Sequence, residues 1–260
     1  LQWVRKERPG THDKRGFSGL DTASPVVHDD LLVIAHHDVV GFDRRTGAER
    51  WRVPGYTDFG SPAVVATDGA PVVVLPDGRV VDGGTGEVAV ARLPPVAFST
   101  PHVHDDTVVV GGSAKGQPGP GDNTVGAFRV GRGPAGLTVQ PLWHTVIGDG
   151  LRFFAAPVTT DSKVVAVSHR GRAHVLDLQT GVHEHAHDVH GIHGEVVGGV
   201  LVVGDDLWVS DDQGHVVRVG IDALGHTTGL ATSVGNRSGP WPLADGLVAM
   251  GAGKVERWRW

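Results

Sequence analysis

An all-β fold assembled from one four-stranded unit written six times is what this sequence predicts, on three observations. The 260 residues include 39 Gly and 16 Pro with only 20% charged residues, the composition of many short strands and turns. Valine-rich runs of four to eight residues, each closed by a turn signal, fill the chain, and no long stretch has helical periodicity. The runs also recur with a period of roughly 40 residues, the signature of a repeat architecture.

The first unit reads SPVVHDD, LLVIAHHD, VVGFDRRTG, AERWRV, and the second SPAVVATDG, APVVVLPDG, RVVDGGTG, EVAVARL. The third opens TPHVHDD, TVVVGGS; the fourth reads APVTTDS, KVVAVSHRG, RAHVLDLQTG, VHEHAHDV. The fifth keeps VLVVGDDLWVSDDQGHVVRVG and the sixth WPLADGLVAMGAGKVERWRW. Pro25, Pro62, Pro101, Pro157 and Pro242 mark one starting position, with Leu201 there in the fifth unit, at spacings of 37, 39, 56, 44 and 41 residues. The long spacing contains a Gly/Pro-rich insertion, Ser113 to Thr124, between the second and third strands of unit three. The pairs Asp29–Asp30, Asp105–Asp106 and Asp205–Asp206 read as turns joining first and second strands.

Repeated four-stranded units around an axis describe a β-propeller. The expected fold is a single six-bladed domain over 1–260, of four-stranded antiparallel blades near 22–54, 57–93, 97–147, 153–190, 193–233 and 238–260 plus 1–7. The last blade includes 1–7 because Asp30 to Val39 and Asp245 to Lys254 are both nine positions. KVERWRW therefore falls on a third strand, and the sixth unit lacks a fourth. LQWVRKE, with Trp3, is expected to supply it and close the ring, since an open blade exposes a long edge.

Three units carry Asp-x-x-Thr-Gly: Asp43, Thr46, Gly47; Asp82, Thr85, Gly86; and Asp177, Thr180, Gly181. In such a turn the carboxylate and hydroxyl accept backbone N–H groups and Gly supplies a positive φ, so the motif is a hairpin lock. Four residues after the Gly stand Trp51, Val90 and His185. At Asp43, Thr46, Gly47 and Trp51 the chain resembles the PQQ-like repeat family, whose units end in this turn followed by a strand bearing Trp. Units three, five and six lack the turn. The six units and the absence of cysteine separate the chain from the family's large eight-bladed quinoprotein dehydrogenases. It is closer to small non-catalytic members, such as outer-membrane assembly lipoproteins and extracellular sensor domains.

The formal charge is −6 without a basic stripe, which excludes nucleic acid as an expected partner. No apolar run approaches the roughly 20 residues of a membrane span. No GxSxG, HExxH, EF-hand or phosphate-loop pattern occurs. Histidine is abundant at 16 residues. His183, His185 and His187 alternate, placing neighbours about 6.7 Å apart on one strand face; with His190 and His193 they are the candidate Zn or Cu ligands. His28 and His104, three residues after their prolines, are candidate channel residues. Lys115, Gln117 and Asp122 in the insertion are candidate partner contacts. The expected function is a non-catalytic module binding a protein or other macromolecule on one face of the ring, with no cofactor. The resemblance implies an extracytoplasmic site, and the alternative is a metal-binding protein or metal-dependent enzyme.

Overall fold

The computed structural model describes residues 23–55, 60–96, 98–112, 123–197, 199–223, 232–233, 241–243, 246–251 and 254–259. Six antiparallel sheets follow one another along the chain. Sheet one contains β1 (Val26–His28), β2 (Leu31–Ala35), β3 (Val39–Asp43) and β4 (Glu49–Val53). Sheet two contains β5 (Ala63–Val65), β6 (Val72–Val74) and β7 (Val80–Asp82), its fourth position reduced to a single bridge between Val81 and Val88. Sheet three contains β8 (His102–His104), β9 (Thr107–Gly112), β10 (Thr124–Gly133) and β11 (Gly136–Val146). Sheet four contains β12 (Val158–Thr159), β13 (Lys163–Val167), β14 (Arg172–Asp177) and β15 (His183–Asp188). Sheet five contains β16 (Gly199–Val203), β17 (Asp206–Ser210), β18 (His215–Gly220) and β19 (Thr232–Ser233). Sheet six contains β20 (Trp241–Leu243), β21 (Gly246–Gly251) and β22 (Lys254–Arg259). In every sheet, consecutive strands are hydrogen-bonded neighbours, as expected for a meander.

The register of the last sheet is the one the spacing predicts. β22 pairs with β21 from Lys254 opposite Gly251 to Arg259 opposite Gly246, so the C-terminal Trp-rich run is a third strand. The strand expected from residues 1–7 lies outside the described residues.

The chain falls into two compact units, the first built on residues up to Val110 with Ala127–Leu142, the second on the remainder. Within the first, Leu31, Val33, Ala35, Val39, Trp51 and Val53 of sheet one pack on Val73, Leu75 and Val81. The other face of sheet two, Val72, Val74 and Val80, packs on Val108, Val110, Phe128 and Val130 of sheet three. A sheet buried on both faces has no polar side to alternate with, which is why β6 reads as an unbroken VVV. In the second unit, Val165, Val167, Ala173 and Val175 of sheet four meet Leu207, Val209, Val217 and Val219 of sheet five.

The first strands of sheets one to three lie side by side, and hydroxyls stitch them together. The Ser24 N–H donates to Ser61 Oγ (2.7 Å), and the Ser61 N–H donates to Thr100 Oγ1 (3.0 Å). These residues precede Pro25, Pro62 and Pro101, so the Ser/Thr-Pro pairs that open the first three units also tie unit one to unit two and unit two to unit three.

Two of the Asp-Asp pairs form the expected turns, with positive φ at Asp29 (50°) and Asp105 (54°). The third pair is shifted by one residue. Val203 pairs with Asp206, so Gly204 (φ 59°) and Asp205 make the turn and Asp206 begins the strand. Glycine before the pair supplies the positive φ that an Asp supplies in the other two, which is what moves the register.

Candidate binding surface

The three Asp-x-x-Thr-Gly turns are built alike. Asp43 Oδ1 accepts the N–H groups of Arg45 (3.0 Å) and Thr46 (2.9 Å) and the Thr46 hydroxyl (2.9 Å). Asp177 Oδ1 accepts Gln179 (3.1 Å), Thr180 N–H (2.8 Å) and the Thr180 hydroxyl (2.7 Å); Asp82 Oδ1 accepts Gly84 (2.8 Å) and Thr85 (2.9 Å). Gly47, Gly86 and Gly181 have φ between 69° and 78°. Arg50, bridging Asp30 and Asp43 at 2.6 Å each, and the Thr46 hydrogen bonds hold the Asp43 carboxyl far below the usual range.

Two of these turns, at Asp82 and Asp177, also receive a tryptophan from the sheet before. Trp51 Nε1–H donates 2.7 Å to Gly83 O, and a Cβ on Gly86 would stand 2.6 Å from Trp51 Cβ. The indole also covers Gly41, where a Cβ would stand 2.2 Å from Trp51 Cε2. Trp143 repeats the contact on the fourth unit's turn: its Nε1–H donates 2.8 Å to Leu178 O, and its ring occupies the space a Cβ on Gly181 would need. The motif marks Trp51, which follows its own unit's turn, and passes over Trp143, whose unit has no such turn. Spacing would have found it, since Trp51 precedes Asp82 by 31 residues and Trp143 precedes Asp177 by 34.

The five candidate metal histidines are distributed among different neighbours. His183 Nε2 lies 3.4 Å from His174 Nδ1. His185 and His187 stand together, ring centroids 5.4 Å apart. His193 stacks edge-on against His215 at 5.0 Å, and His190 is exposed on the same loop. Among the described residues, no group of three or more His, Asp or Glu is placed to hold an ion. His28 and His104 end the first strands of their sheets, each about 30% exposed beside its own turn carboxylate, at 3.6 Å from Asp29 and 3.9 Å from Asp105.

Lys115, Gln117 and Asp122 lie outside the described residues, but the base of their insertion is built into the second unit. Asn123 is buried, its backbone carbonyl accepts Ile147 N–H (2.8 Å), and its side-chain Nδ2–H donates to Asp149 Oδ1 (3.2 Å). Thr124 Oγ1–H donates to Gly112 O (3.3 Å) across the neck. Asp149 Oδ2 in turn lies 2.8 Å from Nε2 of His174, a side chain only 2% exposed. That contact is close enough for charge attraction but lacks hydrogen-bond alignment, because Nε2 makes no hydrogen bond.

Burial holds the His174 pKa below its ordinary value, reinforced by His183 and Arg172 and only partly opposed by Asp149. Burial, with His104 nearby, lowers that of His102 as well. A histidine whose folded pKa is depressed binds its proton better in the unfolded chain. Stability is therefore fully present above the unfolded value of about 6.5 and declines as pH falls through the interval below it. Melting scans from pH 7.5 to 5 are expected to show this fall, and His174→Gln to flatten part of it; a flat wild-type profile contradicts the assignment.

No family model matches the sequence, and no curated protein matches it. Solved structures do. BamB from Moraxella catarrhalis superposes with a TM-score of 0.56 at 16% identity, covering 92% of this chain and 83% of that one. The computationally designed Ika8 protein superposes with a TM-score of 0.51 at 17% identity, with the same coverage of each chain. No helix among the described residues is long and apolar enough to cross a membrane. The successive antiparallel sheets, packed face to face within each unit, and these neighbours together identify the fold as a β-propeller.

Proposed function

We propose that the chain is a six-bladed propeller, closed by residues 1–7, that acts outside the cytoplasm as a non-catalytic module binding a protein or other macromolecule. The observation that carries the binding role is the anchored neck of the insertion. A 12-residue Gly/Pro-rich excursion has nothing to gain from a buried Asn123 bonded to Asp149 unless its position matters, and loops on rigid scaffolds are where recognition concentrates. The neck joins β9 to β10, so the insertion leaves its sheet at the end where second and third strands meet in every unit. Turns gathered at one end let a single partner touch several sheets. The extracytoplasmic assignment rests on the repeat resemblance, and the BamB likeness is compatible with a scaffold role.

The tryptophan contacts support the proposed closure. Each Trp that docks does so on the Asp-x-x-Thr-Gly turn of the following unit. The unit-one turn, Asp43 to Gly47, thus calls for a Trp on the fourth strand of the last unit, and Trp3 holds that place in the proposed pairing.

Replacing Lys115 to Asp122 with a short Gly-Ser turn is expected to leave the melting temperature within a degree or two and to abolish capture of a partner that wild-type protein recovers from its native source. A loop variant that folds and still captures that partner refutes the assignment of this end.

A further inference from the structure

We propose that His193 and His215 form a two-imidazole site for a divalent transition-metal ion, oriented from beneath by Asp211.

The starting point is a break in the repeat. Three of the turns between second and third strands share one plan: Leu75 to Arg79, Ser168 to Arg172 and Asp211 to His215, each with a positive-φ glycine in fourth place at Gly78, Gly171 and Gly214. Their first residue is leucine, serine and then a carboxylate whose side chain is fully buried. A buried carboxylate where one repeat keeps an apolar side chain is costly unless completely paired, and it marks a place where a local rule is broken for a reason.

Asp211 is completely paired. Oδ2 accepts the N–H groups of His193 (2.9 Å) and Gly194 (2.8 Å), and Oδ1 those of Gln213 (3.1 Å) and His215 (2.8 Å). The imidazole Nδ1 of His215 lies 2.8 Å from Oδ2. With four backbone N–H groups converging on its two oxygens, Asp211 accepts at both, so the proton of a neutral His215 sits on Nδ1, facing Oδ2, and the Nε2 lone pair points away from the carboxylate. One carboxylate thus fixes the backbones of both histidines and the tautomer and orientation of one ring. This is the carboxylate–histidine–metal arrangement in which the acid lies behind the ligand.

The spacing suits an ion. Two imidazoles on a tetrahedral centre at about 2.0–2.1 Å per bond place their ring centroids about 5 Å apart; the His193 and His215 centroids are 5.0 Å apart with the rings nearly perpendicular. Two protein ligands leave further positions for water or for a group brought by a partner, consistent with the absence of a three-residue cluster among the described residues. Imidazole donors suit Zn(II), Cu(II) and Ni(II). The two other close histidine pairs in this unit make natural controls. His174 and His183 point nitrogens at one another. His185 and His187 stand on β15, where no carboxylate orients either ring among the described residues.

The test is zinc binding by the full-length chain, read from histidine ring signals by NMR and from competition with a chromophoric chelator. The His193 and His215 signals are expected to shift together and saturate with the first equivalent. His193→Ala and His215→Ala are each expected to weaken that equivalent at least 10-fold, and Asp211→Asn by about 10–100-fold, while His185→Ala leaves it unchanged. If Asp211→Asn fails to fold, the wild-type titration and His215→Gln still decide. A first equivalent that moves other histidines, or an affinity indifferent to both His193 and His215, overturns the proposal.

Discussion

Trp51→Ala lowers stability by about 3–5 kcal/mol, the range for deleting a buried aromatic side chain. At roughly 2–4 °C per kcal/mol for a chain of this size, the melting temperature falls by about 6–20 °C. The side chain is 6% exposed, lies between Gly41 and Gly86, and gives its only N–H to Gly83 O. Its removal empties a slot walled by glycines, which have no side chains to move into the void. Trp51→Phe restores part of the apolar contact but leaves the Gly83 carbonyl without its donor, so its cost is smaller and still measurable. Val90, which holds the corresponding place in the second unit, is fully exposed, so Val90→Ala serves as the neutral control. Equal melting temperatures for Trp51→Ala and Val90→Ala would contradict the docking role.

Deleting Leu1 to Glu7 has the second large effect. If Trp3 completes the last blade, the deletion returns roughly 200 Å² of apolar surface to water, several kcal/mol at about 25 cal/mol per Å². It also leaves β22 as an unpaired edge that can recruit another chain. Calorimetry and light scattering are expected to show a lower transition and concentration-dependent association. Trp3→Ala in the intact chain separates the two effects, costing stability without opening an edge. A truncated protein that melts like the full-length one and stays monomeric defeats the closure argument.

Strand order, the hairpin locks and the third-strand position of KVERWR were legible in the sequence because they depend on local chemistry. An Asp, a Thr and a positive-φ Gly at fixed offsets specify a turn wherever they occur. What binds sheet to sheet was less legible, because it joins residues 30 or more positions apart. Trp51 was visible beside its own turn, yet the turn it docks on belongs to the following unit. The histidine run looked like one cluster from 183 to 193, and strand pairing divides it. His183 turns to His174 on β14, while His193 is drawn to His215 by a carboxylate on another turn. Asp211 carried no motif, and only aligning the turns that begin at Leu75 and Ser168 exposes it as the exception.

The turn at Asp82 has a consequence for how the molecule responds to its medium. Its Gly83 carbonyl holds Trp51 from sheet one, while its carboxylate holds Arg132 of β10 at 2.6 Å, and Arg132 also donates to Ala70 O at 2.9 Å. Sheet two is thus clasped on one side by an aromatic ring and on the other by an ion pair with the Arg132 side chain 28% exposed. Added salt screens a partly exposed ion pair and leaves an apolar contact intact or strengthened. Rising ionic strength therefore weakens the Asp82–Arg132 clasp between sheets two and three, while the apolar contacts of Val72, Val74 and Val80 with sheet three and the hold of Trp51 persist, so the polar edge of this seam responds to the surrounding electrolyte and its apolar centre does not.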